Sequence, residues 1–510
     1  MHWKSRSIVS LLAGLLLAVG LTFLFPTGKW WISLLSATLL SGLSVFGLIS
    51  IIRYHGGARR FAWLTMTAFF LRLIVGIGLM LALPVWGYDN DQQQAGYSFR
   101  DAYERDTASW QTAVSGESLL TVFSEDFYTD QYGGLAFLSV LIYRFLSPDV
   151  HRPYLMLILT SFVFGAGVPF FYKAVNKRWK RKTALAASWI VVLYPEGIFF
   201  TASQMREPLI LGAGMILFWA VIMSFAKKRP KGLIAWAVGS ILLMLFISPL
   251  LAAAVLALCG VIFALAWIQQ RTTKKWQRWL TSGLFVMILL LVGTGAFLGR
   301  EWLSSVIWWD MNTMIASSGH VQQLVRDLPQ PAQYAFLTTY GILQMVPPAT
   351  VIQDATPLWK VISVFRSVGW YCLLPLLIFG WYAVWKKENM KDRRLLVWML
   401  VFVWCWTIFS SLRAGGDAWD NPRYRLIMLP WMALLAVTFY RLRDIWLRRL
   451  VAVMLFAIAV FTYWYIARYL SWFAVPSLPL LVGMIIVAGL LVFGWGIWQE
   501  RKKRVEKSSQ

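Results

Sequence analysis

Acid and cysteine are scarce in this chain. Its 510 residues hold 23 Asp or Glu against 48 Lys or Arg, and only three Cys. Cys259, Cys372 and Cys405 all fall inside apolar runs, so they are expected as small core residues. That placement argues against a disulfide framework or a Cys metal site. Charged residues make up 14% of the chain, below the roughly 25% of a soluble domain. Several motifs are missing as well. There is no P-loop, no Gly-x-Gly-x-x-Gly with a following acidic partner, no His-Glu-x-x-His and no pair of Cys-x-x-Cys. The basic segments between apolar runs are too short for a nucleotide domain, which argues against an ATP-driven pump.

What the chain has in abundance is apolar sequence, at 59% of its residues. Runs of about 17 to 25 residues recur, the length a helix needs to cross a bilayer. The fold class expected is an all-α polytopic membrane protein with about 14 transmembrane helices. They fall near residues 8–25, 30–52, 61–84, 152–173, 183–200, 207–225, 233–249, 250–269, 279–298, 361–385, 395–412, 425–441, 450–470 and 476–497. Lys4 and Arg6 before the first run resemble a signal sequence. The run is long and Phe25-Pro26-Thr27-Gly28 is a poor cleavage site, so an uncleaved span is expected.

The net charge of +25 would suggest nucleic acid in a soluble protein. Here the bases cluster in 1–7, 53–60, 173–182, 226–232, 271–278, 386–394, 441–449 and 498–510, which together hold 33 Lys or Arg and 5 Asp or Glu. The alternate segments hold 12 and 18. The positive-inside rule then puts both termini in the cytoplasm of a multi-pass plasma-membrane protein, with membrane lipids and no nucleic acid as partners. The alternation requires that 133–147 not cross, so it is expected as a surface amphipathic helix. Two long polar segments remain outside, 85–132 and 299–360. The organisation expected is an N-terminal helix pair (1–60), a core with an acidic outer loop (61–298), a second outer loop (299–360) and C-terminal helices with a basic tail (361–510).

The first outer loop holds 9 of the 23 acids and only two bases, Arg100 and Arg105. Crowded carboxylates repel, which raises pKa values or recruits cations. A carboxylate at the membrane face can take a proton from an attacking hydroxyl. Asp89 and Asp91 follow a span directly, and Asp-x-Asp could chelate a divalent metal through hard oxygens. Far along the chain stands Arg423-Tyr424-Arg425, before a span containing Pro430. Arginine forks match phosphate oxygens in two-point contact. Arg206-Glu207-Pro208 sits at a tight turn with Glu196 nearby. It is expected either as a self-satisfied Arg206–Glu207 or Arg206–Glu196 pair, or as a second phosphate contact. Arg72 lies mid-span and should face a polar cavity or partner. Arg366 could snorkel. His151 and His320 are weaker candidates.

This pattern resembles the GT-C superfamily of membrane glycosyltransferases, nearest to bacterial relatives of the protein O-mannosyltransferases and the lipid A aminoarabinose transferases. The residues that carry the likeness are the loop opening Asp89-Asn90-Asp91, the helix Tyr132 to Phe145, and Arg423-Tyr424…Pro430, over roughly residues 61–441. The resemblance implies an inverting glycosyltransferase acting outside the cytoplasm. It would move a sugar from a polyprenyl-phosphate carrier to a lipid, glycan or protein acceptor. Asp89 or Asp91 would be the base, and the Asp-Asn-Asp run leaves the choice open. Asp126 and Asp130 would be acids of the acceptor site. Arg423 would hold the carrier phosphate, with Arg425 and Arg206 beside it. No nucleotide is needed, and a divalent metal at Asp89 and Asp91 is left open as a cofactor. The alternatives are a polymerase or ligase of lipid-linked glycans, which would lean on His320, a flippase or other transporter, and a non-catalytic scaffold.

Overall fold

The computed structural model describes residues 3–124, 127, 129–271, 276, 279–280, 282–283, 286–287, 328–352, 354–386, 392–414, 420–470 and 474–508. Among them there are helices and no strand. Ten helices are long and apolar enough to cross a membrane, and a bent pair would make an eleventh. The chain is therefore an all-α polytopic membrane protein. The fourteen spans expected are not all present as such. The expected 233–249 is a helix of 15 residues and 425–441 one of 12, both short for a crossing. Most of 279–298 lies outside the described residues. So do Asp126, His320 and much of the second outer loop.

The chain divides into two compact units. The first comprises Met1–Ser305 with Pro422–Ala433. It opens with α1 (Trp3–Leu24), α2 (Trp30–Tyr54) and α3 (Arg59–Trp86). The polar loop that follows carries α4 (Asp91–Gln94), α5 (Arg100–Ser115), a 3-10 turn (Leu119–Phe123) and α6 (Gly134–Leu146). Then come α7 (Tyr154–Arg178), α8 (Arg181–Leu193), α9 (Pro195–Thr201), α10 (Glu207–Ser224), α11 (Leu233–Ile247) and α12 (Pro249–Arg271). The expected surface helix is α6, which packs on α5. Its start needs glycine, because a Cβ at Gly134 would sit 1.8 Å from the Phe246 carbonyl oxygen.

The centre of this unit is the pair α7 and α10, the two most buried spans. Their backbones touch: a Cβ on Gly212 would lie 2.3 Å from the Val163 carbonyl oxygen. Small residues let membrane helices approach this closely where no hydrophobic effect drives them together.

The expected span 183–200 is broken into α8 and α9, with a bend of 52°. Pro195 has no N–H for the Val191 carbonyl, and it pushes Tyr194 out of helical geometry. Tyr194 is extended accordingly, at φ −61° and ψ 119°. Carbonyls freed inside a membrane need other donors. Arg72 of α3 supplies them. Its Nη2 reaches Val191 O at 3.3 Å, its Nη1 reaches Val192 O at 3.2 Å and Ala68 O at 3.3 Å, and its Nε reaches Thr201 Oγ1 at 2.6 Å. The guanidinium also lies 3.5 Å from the centre of the Phe164 ring. The mid-span arginine thus holds a broken helix.

A clip ties the α1–α2 turn to the α6–α7 turn. Arg152 donates to Asp149, to Thr27 O and to Lys29 O, and the Lys29 N–H donates to Asp149 Oδ2 at 2.7 Å. The Arg152 bond pulls the Asp149 pKa down to about 2, against the opposing effect of burial and with help from the Lys29 amide. A carboxyl depressed on folding stabilises above its unfolded pKa, near 3.9, and loses that contribution as pH falls to the folded value. Asp149→Asn is therefore expected to lower Tm at pH 7, with the gap from the parent closing between about pH 4 and pH 2. Thermal unfolding in detergent across that range checks it.

The second unit comprises Val306–Asn421 and Leu434–Gln510. The remaining helices are α13 (Gln330–Leu343), α14 (Pro347–Ile352), α15 (Pro357–Lys386), α16 (Arg393–Ala414), α17 (Asp420–Leu426), α18 (Leu429–Tyr440), α19 (Ile445–Leu470) and α20 (Leu478–Ser508). Part of the expected second outer loop, 299–360, is thus helical. Trp370 Nε1 and Tyr371 OH of α15 donate to the Ile342 and Leu343 carbonyls that end α13. Arg366, expected to snorkel, is instead buried at 1% exposure. Of the three cysteines, only Cys259 is a core residue; Cys372 and Cys405 are exposed on their helices.

Candidate functional site

The break at Pro195 places Glu196 in the first turn of α9, and Glu207 opens α10. Acids at helix N-termini are favoured by the helix dipole. Both side chains are buried, each at 1% exposure, and a buried carboxylate needs a partner. The partners come from α17, whose residues from Pro422 on belong to the first unit. Arg423 Nε donates to Glu207 Oε1 at 2.6 Å. Arg425 Nη2 donates to both oxygens of Glu196 at 3.2 Å, and Tyr194 OH adds a bond at 3.0 Å.

Arg423 makes a second ion pair, from Nη1 to Asp101 Oδ2 at 3.0 Å. Asp101 lies in the first turn of α5, in the acidic loop 85–132, 322 residues earlier. Its side chain is 44% exposed, against 14% for Arg423. Burial works to raise the Asp101 pKa, but the charges of Arg423, Arg105 and Arg206 outweigh it and hold the carboxyl below its ordinary value. Arg105, also on α5, donates to Gln204 O and so pins α5 to the turn before α10.

Arg206 pairs with Asp130. Its guanidinium also sits 5.0 Å from the centre of the Tyr132 ring. This corrects the expected Arg206–Glu207 or Arg206–Glu196 pair. Adjacent residues at a helix start diverge, and the acid that reaches Arg206 comes from another element. Asp130 is fully occupied, since its Oδ2 also accepts the Ala136 N–H at 3.0 Å at the start of α6.

Four arginines (Arg105, Arg206, Arg423, Arg425) and four carboxylates (Asp101, Asp130, Glu196, Glu207) thus form one charge-balanced cluster. Buried polar atoms in it without a hydrogen bond among the described residues include Glu207 Oε2, an acceptor, and Arg206 Nε, a donor. Native proteins rarely leave such groups unmet.

On the buried face of α5 a further acid organises the loop. Asp106, 2% exposed, accepts Tyr97 OH at 2.6 Å, Tyr143 OH at 2.7 Å and an interaction with His151 Nε2 at 3.0 Å. Burial and the Asp106 charge push both tyrosine pKa values well up, so both remain donors. His151 is therefore a partner of this latch, with Trp110 stacked on it at 5.4 Å.

Asp89 and Asp91 stand apart from these bonds. Both are exposed at the end of α3, Asp89 accepting only a 3.4 Å contact from Gln94. Neither touches an arginine among the described residues. No set of three His, Cys, Asp or Glu among the described residues could hold a metal ion. Two exposed carboxylates alone are a poor fit to a divalent cation.

Sequence reasoning picked out Arg423, Arg425, Arg206 and Asp130, and the fold brings all four into the cluster. It gave no special place to Asp101 among nine acids. The signal for Glu196 and Glu207 was their setting, each beside a proline at a helix start. No family model matches this chain, nor does any curated protein or solved structure.

Proposed function

We propose that this protein is a membrane glycosyltransferase that moves a sugar from a polyprenyl-phosphate carrier to an acceptor on the extracytoplasmic side. The observation that carries the reading is the Asp101–Arg423 pair at 3.0 Å. It joins the acidic loop to an arginine hundreds of residues away, at the end of a bundle of membrane helices. A carboxylate able to take a proton and a guanidinium able to hold a phosphate are thereby in contact.

The charge balance sets how such a site would work. A carrier phosphate entering a neutral cluster must displace a carboxylate from its arginine. Glu207 and Glu196 are buried and fixed, whereas Asp101 is half-exposed and held by one ion pair. The phosphate takes the place of Asp101 on Arg423. Asp101, released from the cation that lowers its pKa, becomes the more basic group next to the anomeric carbon. It removes the proton of the acceptor hydroxyl as that oxygen bonds to the sugar and the carrier phosphate departs with the bonding electrons. Arg423 stabilises the charge growing on the phosphate. Glu207 Oε2 and Arg206 Nε offer one acceptor and one donor to the sugar hydroxyls.

On this reading Asp101 is the base in preference to Asp89 or Asp91. Asp101→Asn is expected to lower kcat by about 10²–10⁴-fold. Carrier KM should hold or fall, because the competitor for Arg423 is gone. The Asp89→Asn/Asp91→Asn pair should stay within about tenfold of the parent. Transfer from a polyprenyl-phosphate sugar in detergent, measured for all three, decides; unchanged turnover in Asp101→Asn removes the base. A transporter is the second reading, favoured by the broken span α8–α9 with Arg72 and Glu196 at its break. Labelled glycolipid crossing a proteoliposome membrane with no covalent transfer would establish it instead.

A further inference from the structure

At the other end of α10 lies a second feature with its own chemistry. The last two turns of α10, the start of α11 and α12 enclose an apolar groove of about 210 Å³. Its walls include Leu217, Val221 and Ser224 of α10, Leu233 and Ala237 of α11, and Phe263 of α12, and no polar atom is exposed on them. The groove runs toward the loop that joins α10 to α11, which carries Lys227, Lys228, Arg229 and Lys231.

That loop is uncompensated. No Asp or Glu occurs between Glu207 and Glu301. The basic segments 53–60 and 173–182, which the charge alternation puts on the same side, hold none either. The side chains of Lys227, Lys228 and Lys231 make no hydrogen bond or ion pair among the described residues. Arg229 is seated at the groove itself, its Nε donating to the carbonyl of the groove residue Ser224 at 3.2 Å. The Lys231 carbonyl is held by Tyr54 OH at 2.6 Å, which fixes the far side of the loop.

An apolar slot ending under three or four unpaired cations has one complementary occupant in a membrane. We propose that this groove binds an anionic glycerophospholipid, one acyl chain lying along α10 between α11 and α12 and the phosphate meeting Arg229, Lys227 and Lys228. Each base near the surface favours an anionic headgroup, and three acting together give a preference of about tenfold or more over a zwitterionic one. The inference rests on the membrane reading alone and is independent of any transferase activity.

The experiment uses the full chain, delipidated in mild detergent and titrated with phosphatidylglycerol or phosphatidylcholine. Bound lipid is read by native mass spectrometry and stabilisation by Tm. The parent should retain one phosphatidylglycerol with about tenfold or greater preference over phosphatidylcholine. Lys227→Gln/Lys228→Gln/Arg229→Gln should lose the preference while keeping the parent's Tm without lipid. Val221→Trp should lose the bound lipid of either headgroup by filling the slot. Equal binding of the two lipids, or a preference that survives the triple substitution, overturns the proposal. So does retention of a polyprenyl phosphate in place of the glycerophospholipid, or a cross-link between Ile234→Cys copies showing that a second chain covers the groove.

Discussion

Arg423→Lys is expected to reduce transfer by about 10²–10³-fold, the usual loss when one preorganised donor to a developing anion is removed. The substitution keeps the positive charge but loses the fork. Arg423 uses Nε toward Glu207 and Nη1 toward Asp101, two directions set by one rigid plane. A lysine ammonium at the end of a flexible stem cannot hold Glu207 and at the same time present a flat pair of donors to the phosphate that replaces Asp101. A simple folding defect must be separated from a chemical one, because Glu207 is buried and would lose its partner. Arg423→Gln/Glu207→Gln removes both charges together, so it should keep the parent's Tm to within a few degrees and still be inactive. Transfer near the parental rate in either variant would end the role given to Arg423.

Arg72→Leu should act on stability rather than on chemistry. It strands the Val191 and Val192 carbonyls at the break in the span, at about 1–3 kcal/mol for each buried group left unmet. The guanidinium is itself costly to bury, but it is weakly hydrated for a cation, meets four acceptors and lies against the Phe164 ring. The net effect expected is a destabilisation of roughly 2–6 kcal/mol, seen as a lower Tm and poor recovery from detergent. Pro195→Ala provides the internal control. It returns an N–H to the Val191 carbonyl, so the double variant should recover part of the loss. A double-mutant cycle with no coupling would show that the two residues do not act on the same carbonyls.

The membrane body was legible because a span needs only local sequence: about twenty apolar residues announce themselves wherever their neighbours are. The span 183–200 was legible as apolar sequence, though not that Pro195 would split it into two helices. Charge alternation left 133–147 no room to cross, and the helix found there has 13 residues, short for a span. The pairing of charges was not legible, and the reason is geometric. Arg206 stands next to Glu207 in sequence, yet consecutive residues on a helix do not face each other. Its acid is Asp130, from the loop before α6. Asp101 was one acid among nine, and what distinguishes it is an arginine 322 residues away, a relation that no window of sequence contains. Arg366 shows the converse error: its position near a helix end suggested solvent, and packing buried it.

The long separations inside the cluster bear on biogenesis. Glu207 and Glu196 precede their arginines by 216 and 229 residues. At ribosomal speed that is a delay of about 10 to 45 s before those ion pairs can form. Until then α9 and α10 lack the ion pairs that tie them to α17. The arrival of the segment after Pro422 is thus the last step in assembling the first unit. A nascent chain released before that point would lack both ion pairs at its helix ends, a mark by which membrane quality control could tell it from the finished protein.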